Sequence, residues 1–63
     1  MKNDVAARRL ERRWTQADLA SALGVSRQTV ISIERGRFDP SLPLAFLIAR
    51  TFGCAIEDVF TPD

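Results

Sequence analysis

The sequence predicts an all-α fold built from five short helices. Signals for β-strands are weak along the whole chain, whereas residues that begin and end helices recur at short intervals. Three helices begin at a serine or threonine, and three end at a glycine. These residues are Thr15, Ser26 and Ser41 at the beginnings and Gly24, Gly36 and Gly53 at the ends. No linker, low-complexity tract or internal repeat interrupts the 63 residues.

The first two helices are short. The first begins at a cap, either Asn3 or Asp4, and runs to about Arg12. It has a thin apolar stripe, formed by Val5, Ala6 and Leu10. Before the second helix, Thr15 and Asp18 have the spacing of a capping box, with Asp in place of the usual Glu or Gln. The capping box therefore fixes where the second helix begins.

The third helix has one apolar face and one mostly polar face. Ser26 caps it, and it runs from Arg27 to about Arg35. Val30 and Ile33 face inward because they lie three residues apart on one side. The outer face carries Arg27, Gln28, Ile31 and Ser32. The polar side chains of this helix are therefore expected to point away from the core.

The C-terminal half is the most apolar part of the chain. Ser41 caps a fourth helix that has Pro43 in its first turn, where a missing N–H costs nothing, and Gly53 ends it. This helix is apolar almost all round, which indicates that more than one of its faces is buried. The tail 56–60 forms one more helical turn, although Ala55 before it is a poor cap.

The composition excludes several classes of protein. Cys54 is the only cysteine and there is no His, so neither an internal disulfide nor a Cys/His zinc site can form. Without His or Tyr the usual general bases are missing, and we expect no enzyme. Nothing in the sequence indicates a ligand pocket, so we expect no cofactor and no small-molecule ligand. The longest apolar run, the six residues 44–49, is far shorter than the roughly 20 that span a bilayer. A lone cysteine and the lack of a signal peptide indicate the cytoplasm.

The charge is distributed unevenly. Residues 1–37 hold eight Lys and Arg against four Asp and Glu, a net charge of +4, whereas residues 38–63 hold one against four, a net charge of −3. This asymmetry indicates one face for a polyanion and another for packing or pairing. A chain of this length buries only about 60% of its unfolded surface, so its core is marginal and self-association is the one reinforcement left.

Two short helices joined by Leu23-Gly24-Val25, the second opened by a serine cap, form a helix-turn-helix pattern. The chain around this pattern closely resembles the phage-repressor-like domain of the Cro and XRE type, also called lambda-repressor-like, as a minimal single-domain member. The matching residues are 15–20, 23–30 and 33–37, then Pro40-Ser41-Leu42, Ala45, Ile48-Ala49 and 56–60. The resemblance implies one DNA-binding domain over residues 1–63, with the helix-turn-helix at about 15–35 and a dimerisation region at about 42–63.

The same resemblance implies that the helix from Arg27 is a recognition helix, which lies in the major groove with its N-terminal residues toward the base edges. Arg27 can donate two parallel hydrogen bonds to guanine, and Gln28 can pair with adenine. The implied base contacts are Arg27, Gln28, Thr29, Ile31 and Ser32. Arg27 has an alternative as a solvated helix-start arginine, and Ile31 as a cover for a neighbouring apolar patch. Gln28, Thr29 and Ser32 are individually uninformative.

Contacts with the DNA backbone are implied as well, by Gln16, Ser26, Arg37 and Arg13. Gln16 matches the glutamine at the start of the second helix in the family, where an amide and a helix N-terminus meet a phosphate. Arg13 can equally lie on a solvated face, and it stands where the family often has Gly. Asp39, where Asn is commoner, is expected to act in its turn and not to touch DNA.

The family pattern also pairs an arginine of the first helix with a glutamate near the end of the recognition helix, here Arg9 and Glu34. We expect this pair to be partly buried and structural. If it is buried, removing one partner leaves an uncompensated charge at a cost of roughly 3 to 5 kcal/mol. An exposed pair would contribute little.

A homodimer is expected because the core is marginal, the C-terminal half is apolar, and proteins of this family usually bind symmetric operators. The predicted interface lies on the fourth helix and the tail, at Leu47, Phe46 and Phe60. The alternative is that the phenylalanines lie in the core of the single chain, which is the favoured reading for Phe52.

These observations predict sequence-specific binding of double-stranded DNA, at a pseudo-palindromic operator, by a cytoplasmic homodimer associated with the nucleoid. The chain would regulate transcription, with repression favoured over activation. The alternative from another class is a protein-interaction module, such as an antitoxin or anti-regulator with the same fold. Salt discriminates the two, because each neutralised phosphate contributes about 0.9 to the negative slope of log affinity against log salt.

Overall fold

The computed structural model describes residues 1–62, which form five helices and two very short strands. The helices are α1 (Val5–Glu11), α2 (Gln16–Leu23), α3 (Arg27–Glu34), α4 (Leu42–Phe52) and α5 (Ile56–Val59). Strand β1 (Lys2–Asn3) pairs antiparallel with β2 (Phe60–Thr61), which places Lys2 opposite Thr61 and Asn3 opposite Phe60. The five-helix fold is as predicted, and the short ladder between the two ends of the described chain is an addition. Asp63, the last residue of the predicted dimerisation region, lies outside the described residues.

The helix beginnings follow the predicted caps. The Thr15 hydroxyl oxygen accepts a hydrogen bond from the Asp18 backbone N at 3.0 Å, and the Asp18 carboxylate accepts one from the Thr15 backbone N at 2.8 Å. This is a complete capping box, which satisfies two amides that the helix itself leaves unpaired. Ser26 accepts from the Thr29 backbone N at 3.1 Å, and Ser41 caps α4 in the same way.

The start of α1 differs from the prediction in its details. Asp4 occupies the cap position without capping, because its carboxylate instead accepts a hydrogen bond from Arg8 Nε at 3.0 Å. The Asn3 side chain accepts from the Val5 backbone N at 3.1 Å. The predicted apolar stripe of this helix is wrong for Leu10, which is 60% exposed, whereas Val5 is buried. The helix therefore joins the core through one residue.

Two left-handed residues flank α2. Gly24 ends the helix with φ at 70°, a conformation that glycine adopts without steric cost. Arg13 has φ at 58° in the turn before the helix, and it is the only non-glycine residue with positive φ among residues 1–62. Its backbone N donates to the Leu10 carbonyl at 2.9 Å, so the turn closes without the glycine that the family often has there. Holding an ordinary side chain in this region costs about 1–2 kcal/mol.

The core lies where the five helices and β2 meet. Its least exposed large residues, at 2% or less, are Leu19, Ile33, Ile48, Val5, Val30 and Val59. Phe52 on α4 packs against the partly buried Trp14, with ring centroids 6.4 Å apart. The guanidinium of Arg12 lies 4.9 Å from the Phe52 ring centroid and donates from Nη2 to the Phe52 carbonyl at 2.9 Å. Arg12 therefore joins α1 to the end of α4.

Candidate nucleic-acid interface

Helix α3 has a buried face and an open face. Val30 and Ile33 are each 1% exposed and pack in the core, in agreement with the predicted inner face. On the other side Arg27 and Gln28 are exposed. The remaining predicted base-contact residues, Thr29, Ile31 and Ser32, are half-buried. All five therefore keep surface that solvent reaches, and the two with the longest polar side chains are the most open.

The beginning of α3 is fixed by hydrogen bonds between Ser26 and Thr29. Besides capping the helix, the Ser26 hydroxyl lies 2.9 Å from the Thr29 hydroxyl. Both side chains are thus held in one arrangement at the helix N-terminus, where backbone N–H groups and the helix dipole favour a negative charge. This is the place where the resemblance implies a phosphate at Ser26 and a base at Thr29.

Arg9 and Glu34 form a forked ion pair between α1 and α3. Arg9 Nε donates to Glu34 Oε2 at 2.7 Å, and Arg9 Nη2 donates to Glu34 Oε1 at 3.3 Å. The two side chains are only 11% and 7% exposed. Arg9 Nη1 also donates to the Trp14 carbonyl at 2.8 Å. Because the guanidinium donates to three acceptors, two on α3 and one in the turn before α2, the pair holds α3 in register with α1.

Gln16 extends this pair to the open face of α3. Its Nε2 donates to Glu34 Oε1 at 3.1 Å, and its Oε1 accepts from Arg27 Nη2 at 3.3 Å. Arg9, Glu34, Gln16 and Arg27 thus form one hydrogen-bonded chain across three helices. The carboxylate accepts only, so it orients the Gln16 amide with its oxygen toward Arg27. Sequence reasoning singled out all four residues but missed these links, since Gln16 is 18 positions from Glu34 and 11 from Arg27.

Two of the predicted phosphate contacts, Arg13 and Arg37, are exposed cations. Within residues 1–62 neither side chain makes a hydrogen bond or an ion pair, so both are available to an anion. Arg37 is placed by its backbone N, which donates to the Ser32 carbonyl at 2.9 Å. Arg12 differs from them because its guanidinium donates to the Phe52 carbonyl and lies over the Phe52 ring.

The turn after α3 is tied to the start of the chain. The Asn3 amide donates from Nδ2 to the Ile33 carbonyl at 2.8 Å, which adds a second donor to a carbonyl at the end of α3 that also accepts from the Gly36 backbone N at 2.9 Å. The Met1 ammonium lies 3.4 Å from the Asp39 carboxylate. Gly36 packs so closely that a Cβ there would be 3.2 Å from the Met1 carbonyl oxygen. Asp39 thus pairs with the first residue of the chain, and the role within its own turn that the sequence led us to expect is not what this contact shows.

The three predicted interface residues lie in different environments. Phe46 is 51% exposed, whereas Leu47 is half-buried and packs against the core. Phe60 is 5% exposed and belongs to the core through β2. Its assignment to a dimer interface is therefore corrected, because the single chain already buries it. Phe52 is 4% exposed, in agreement with the favoured alternative.

Comparison with known proteins agrees with this geometry. The family model HTH_3, described as helix-turn-helix, matches residues 5–59, which is most of the chain and includes both helices of the motif. The chain belongs to the Cro/C1-type helix-turn-helix family. The family is one of transcriptional regulators and not of enzymes, as the absence of catalytic side chains predicted.

Several relatives of this Cro/C1-type chain are of similar length. It is 58% identical over 60 residues to an uncharacterised HTH-type transcriptional regulator of Methanocaldococcus jannaschii, covering 95% of this chain and 91% of that one. It is 47% identical over 64 residues to another from Methanothermobacter thermautotrophicus, covering 100% and 93%. A crystal structure of a hypothetical transcription factor from Neisseria superposes with a TM-score of 0.79 at 27% identity, covering 87% of this chain and 62% of that chain.

The chain is thus a transcriptional regulator with a helix-turn-helix DNA-binding domain. Helices α2 and α3 form the motif. The hydrogen bonds that run from Arg9 through Glu34 and Gln16 to Arg27 link both helices to α1. Among residues 1–62 no helix is long and apolar enough to cross a membrane.

Proposed function

We propose that this regulator binds double-stranded DNA sequence-specifically as a homodimer and represses transcription. The observation that carries the proposal is the open polar face of α3, on which Arg27 and Gln28 are exposed while Val30 and Ile33 anchor the opposite face. An α-helix fits the major groove of B-DNA, where each base pair presents a distinct pattern of donors and acceptors. In this proposal the helix-turn-helix spans about residues 15–35.

The base-reading residues would differ in what they contribute. Arg27 is suited to donate two hydrogen bonds to guanine O6 and N7, and Gln28 to pair with adenine N6 and N7. Thr29 and Ser32 offer shorter hydroxyl contacts, and Ile31 an apolar contact with a thymine methyl. Each good bidentate pair gives about 1–3 kcal/mol of discrimination against the wrong base.

The backbone contacts would set the register of α3 in the groove. Arg13 and Arg37 supply free cations, while Gln16 and Ser26 supply hydrogen-bonding groups at the starts of α2 and α3. Such contacts carry no base information, but they fix the position and the orientation of the protein on the duplex. Each contact releases counterions from the DNA phosphates, which makes the affinity strongly salt-dependent.

Two copies would place their recognition helices in successive major grooves about 34 Å apart, so the operator would be pseudo-palindromic. The dimerisation region is assigned to about residues 42–63. A dimer seated on a promoter would exclude the polymerase sterically, which is the basis for proposing repression. Its place of action would be chromosomal DNA, in the nucleoid of the cytoplasm.

Selection of binding sites from random duplexes tests this proposal. We expect two similar half-sites, one helical turn apart centre to centre, and a slope of log affinity against log salt that is steeply negative, by about 0.9 for each phosphate neutralised. No enriched sequence, together with a flat salt dependence, would overturn it. That result would favour the protein-interaction module, since an apolar protein interface depends little on salt.

A further inference from the structure

A polar cavity of about 470 Å³, open to solvent, lies at the C-terminal end of α3. Two segments of the chain line it. They are Met1, Lys2 and Asn3 from the start of the chain, and Glu34, Arg35 and Gly36 from the end of α3. None of the residues predicted to contact DNA lines this cavity, so it is a separate surface of the domain.

Arg35 lies on the open face of α3. Its backbone is helical and its backbone N donates to the Ile31 carbonyl at 3.1 Å, so it continues the helix by one residue. At about 3.6 residues per turn, the seven residues from Gln28 to Arg35 make nearly two turns, which brings both side chains to the same side. The buried residues Val30 and Ile33 lie on the other side. Arg35 therefore extends the face on which Gln28 is exposed.

The distance along the helix separates Arg35 from the base edges. With a rise of about 1.5 Å per residue, Arg35 lies about 10 Å beyond Gln28 along the helix axis. In helix-turn-helix docking the N-terminal residues of the recognition helix meet the bases. The major groove is about 12 Å wide, and the phosphate backbones form its two walls. When Gln28 reaches a base, Arg35 is thus directed toward a wall of the groove.

Lys2 is held at the same place by the chain around it. The Asn3 amide donates to the Ile33 carbonyl at 2.8 Å, which fixes strand β1 against the end of α3. Lys2 and Arg35 are both exposed, and both line the cavity. Two cations on one cavity repel each other and together attract an anion.

The two cations have no acidic partner in the described part of the chain. Neither Lys2 nor Arg35 makes a hydrogen bond or an ion pair there through its side chain. Glu34 is the one acidic residue that lines the cavity, but its carboxylate accepts from Arg9 and Gln16, and its side chain is only 7% exposed. The positive charge of this cavity is therefore left for an anion from outside the domain.

We propose that Lys2 and Arg35 hold the DNA phosphate backbone at the wall of the major groove, beyond the bases that α3 reads. The inference rests on the DNA binding of the proposed function and adds a contact surface to it, since neither residue is among its phosphate contacts. The duplex is the occupant that fits, because the cavity lies at one end of the reading face and its two exposed cations complement a phosphate.

Removal of each charge tests the contact. Arg35→Gln and Lys2→Gln should each weaken binding to the selected operator and to an unrelated duplex of the same length by similar factors, because a phosphate contact carries no base information. Each should also reduce the slope of log affinity against log salt by about 0.9 for every bound copy. Arg35→Lys should keep the original slope, since a phosphate accepts a point charge whereas guanine needs the paired donors of arginine.

Arg8→Gln is the matched control. It also removes one positive charge, but Arg8 pairs with Asp4, donates to the Asp58 carbonyl at 3.3 Å and does not line the cavity. Its salt slope should therefore equal that of the original chain. Circular dichroism and thermal melting of Arg35→Gln and Lys2→Gln should match the original chain, because both side chains are exposed.

Three outcomes overturn the inference alone: an unchanged salt slope in Arg35→Gln or Lys2→Gln, an equal reduction of the slope in Arg8→Gln, or a base preference that falls in Arg35→Gln and is not restored in Arg35→Lys. In the first two the original chain still selects its operator, so the proposed function stands. The third makes Arg35 a base reader within the same function. An original chain that binds no duplex overturns the proposed function itself, and this contact with it.

Discussion

The α1–α3 side of this small domain is held together by polar contacts, whereas the α4–α5 side depends mainly on apolar packing. On the first side, a nearly buried ion pair and the Gln16 amide fix the direction of Arg27 through consecutive hydrogen bonds. On the second side, α4 packs through apolar side chains into the core, and its outward side chains Leu42 and Phe46 are exposed. Reading DNA needs donors that point one way, whereas association of two copies needs apolar area. The comparison teaches that the two sides, which share one core, are suited to the two parts of the proposed function, base reading on α3 and pairing of copies on α4.

The largest expected effect tests whether the ion pair is part of the fold. Arg9→Ala leaves the Glu34 carboxylate nearly buried without its cation, at a cost of about 3–5 kcal/mol. A domain of this length has a total stability of only about 3–9 kcal/mol, taking 0.05–0.15 kcal/mol per residue. We therefore expect the variant to be largely unfolded or to melt far lower in thermal denaturation, and to lose DNA binding for that reason.

The matched control is Arg8→Ala on the same helix, where the pair with Asp4 is solvated. Its hydrogen bond to Asp4 raises the pKa of the Arg8 guanidinium, which is a cation at neutral pH with or without it. The melting temperature of Arg8→Ala should therefore differ little from that of the original chain. Replacing both partners of the buried pair, Arg9→Met with Glu34→Leu, should recover much of the stability while removing the acceptor that orients Gln16. An Arg9→Ala variant as stable as Arg8→Ala would contradict the structural role.

The second effect separates reading from folding on the α3 side. Arg27→Ala and Gln28→Ala should each lower discrimination between the preferred and a mismatched base by about 1–3 kcal/mol, with thermal stability close to that of the original chain. Competition binding with single-base operator variants measures this. Arg27→Lys keeps the charge but not the paired donors, so its salt slope should stay while its base preference falls. Unchanged preference in both alanine variants would remove these residues from base reading.

The third effect contrasts two neighbours on α4. Leu47→Lys places a charge on a side chain that packs against the core, so we expect it to lower the free energy of unfolding by about 1–2 kcal/mol. Phe46→Lys changes an exposed side chain, so stability should shift by no more than about 0.5 kcal/mol while dimerisation weakens. Thermal melting and sedimentation of both variants report the two effects. Equal dimerisation by Phe46→Lys and the original chain would place the interface elsewhere.

The smallest effect concerns the left-handed Arg13. Arg13→Gly should raise stability by up to about 1 kcal/mol, or by about 4–8 °C in melting temperature, because glycine tolerates this backbone conformation. Arg13→Ala keeps the Cβ and so isolates the backbone contribution. Both variants lose the cation, and if it contacts a phosphate both should reduce the salt slope by about 0.9. A melting temperature that is the same for Gly and Ala at this position would show that the turn is unstrained.

Local features of the fold could be predicted from the sequence because they depend on residues a few positions apart. The capping box of Thr15 with Asp18, the caps at Ser26 and Ser41, and the stop at Gly24 are all of this kind. The ladder between β1 and β2 could not, since each strand has two residues and pairs with the opposite end of the described chain. Strands this short leave no periodic pattern.

The candidate site likewise has some features that the sequence predicts and others that depend on tertiary packing. The open face of α3 follows from helical periodicity, and the Arg9–Glu34 pair was implied by the resemblance to the family. The bonds from Gln16 to Glu34 and Arg27 depend on how three helices pack, which no local pattern encodes. Phe60 shows the limit for apolar residues: hydrophobicity predicts burial, but it does not distinguish a core from an interface between copies.

The bond from Asn3 to the Ile33 carbonyl ties the first residues of the chain to the end of α3, the helix that we propose reads DNA. The same residue pairs with Phe60 in the ladder, so separation of β1 from β2 removes the Asn3 bond and leaves the Ile33 carbonyl at the end of α3 with the Gly36 backbone N as its donor. Terminal segments are where local unfolding costs least. Amide hydrogen exchange in the last turn of α3 should therefore speed up together with that of the ladder, and an operator that clamps the helix should slow both.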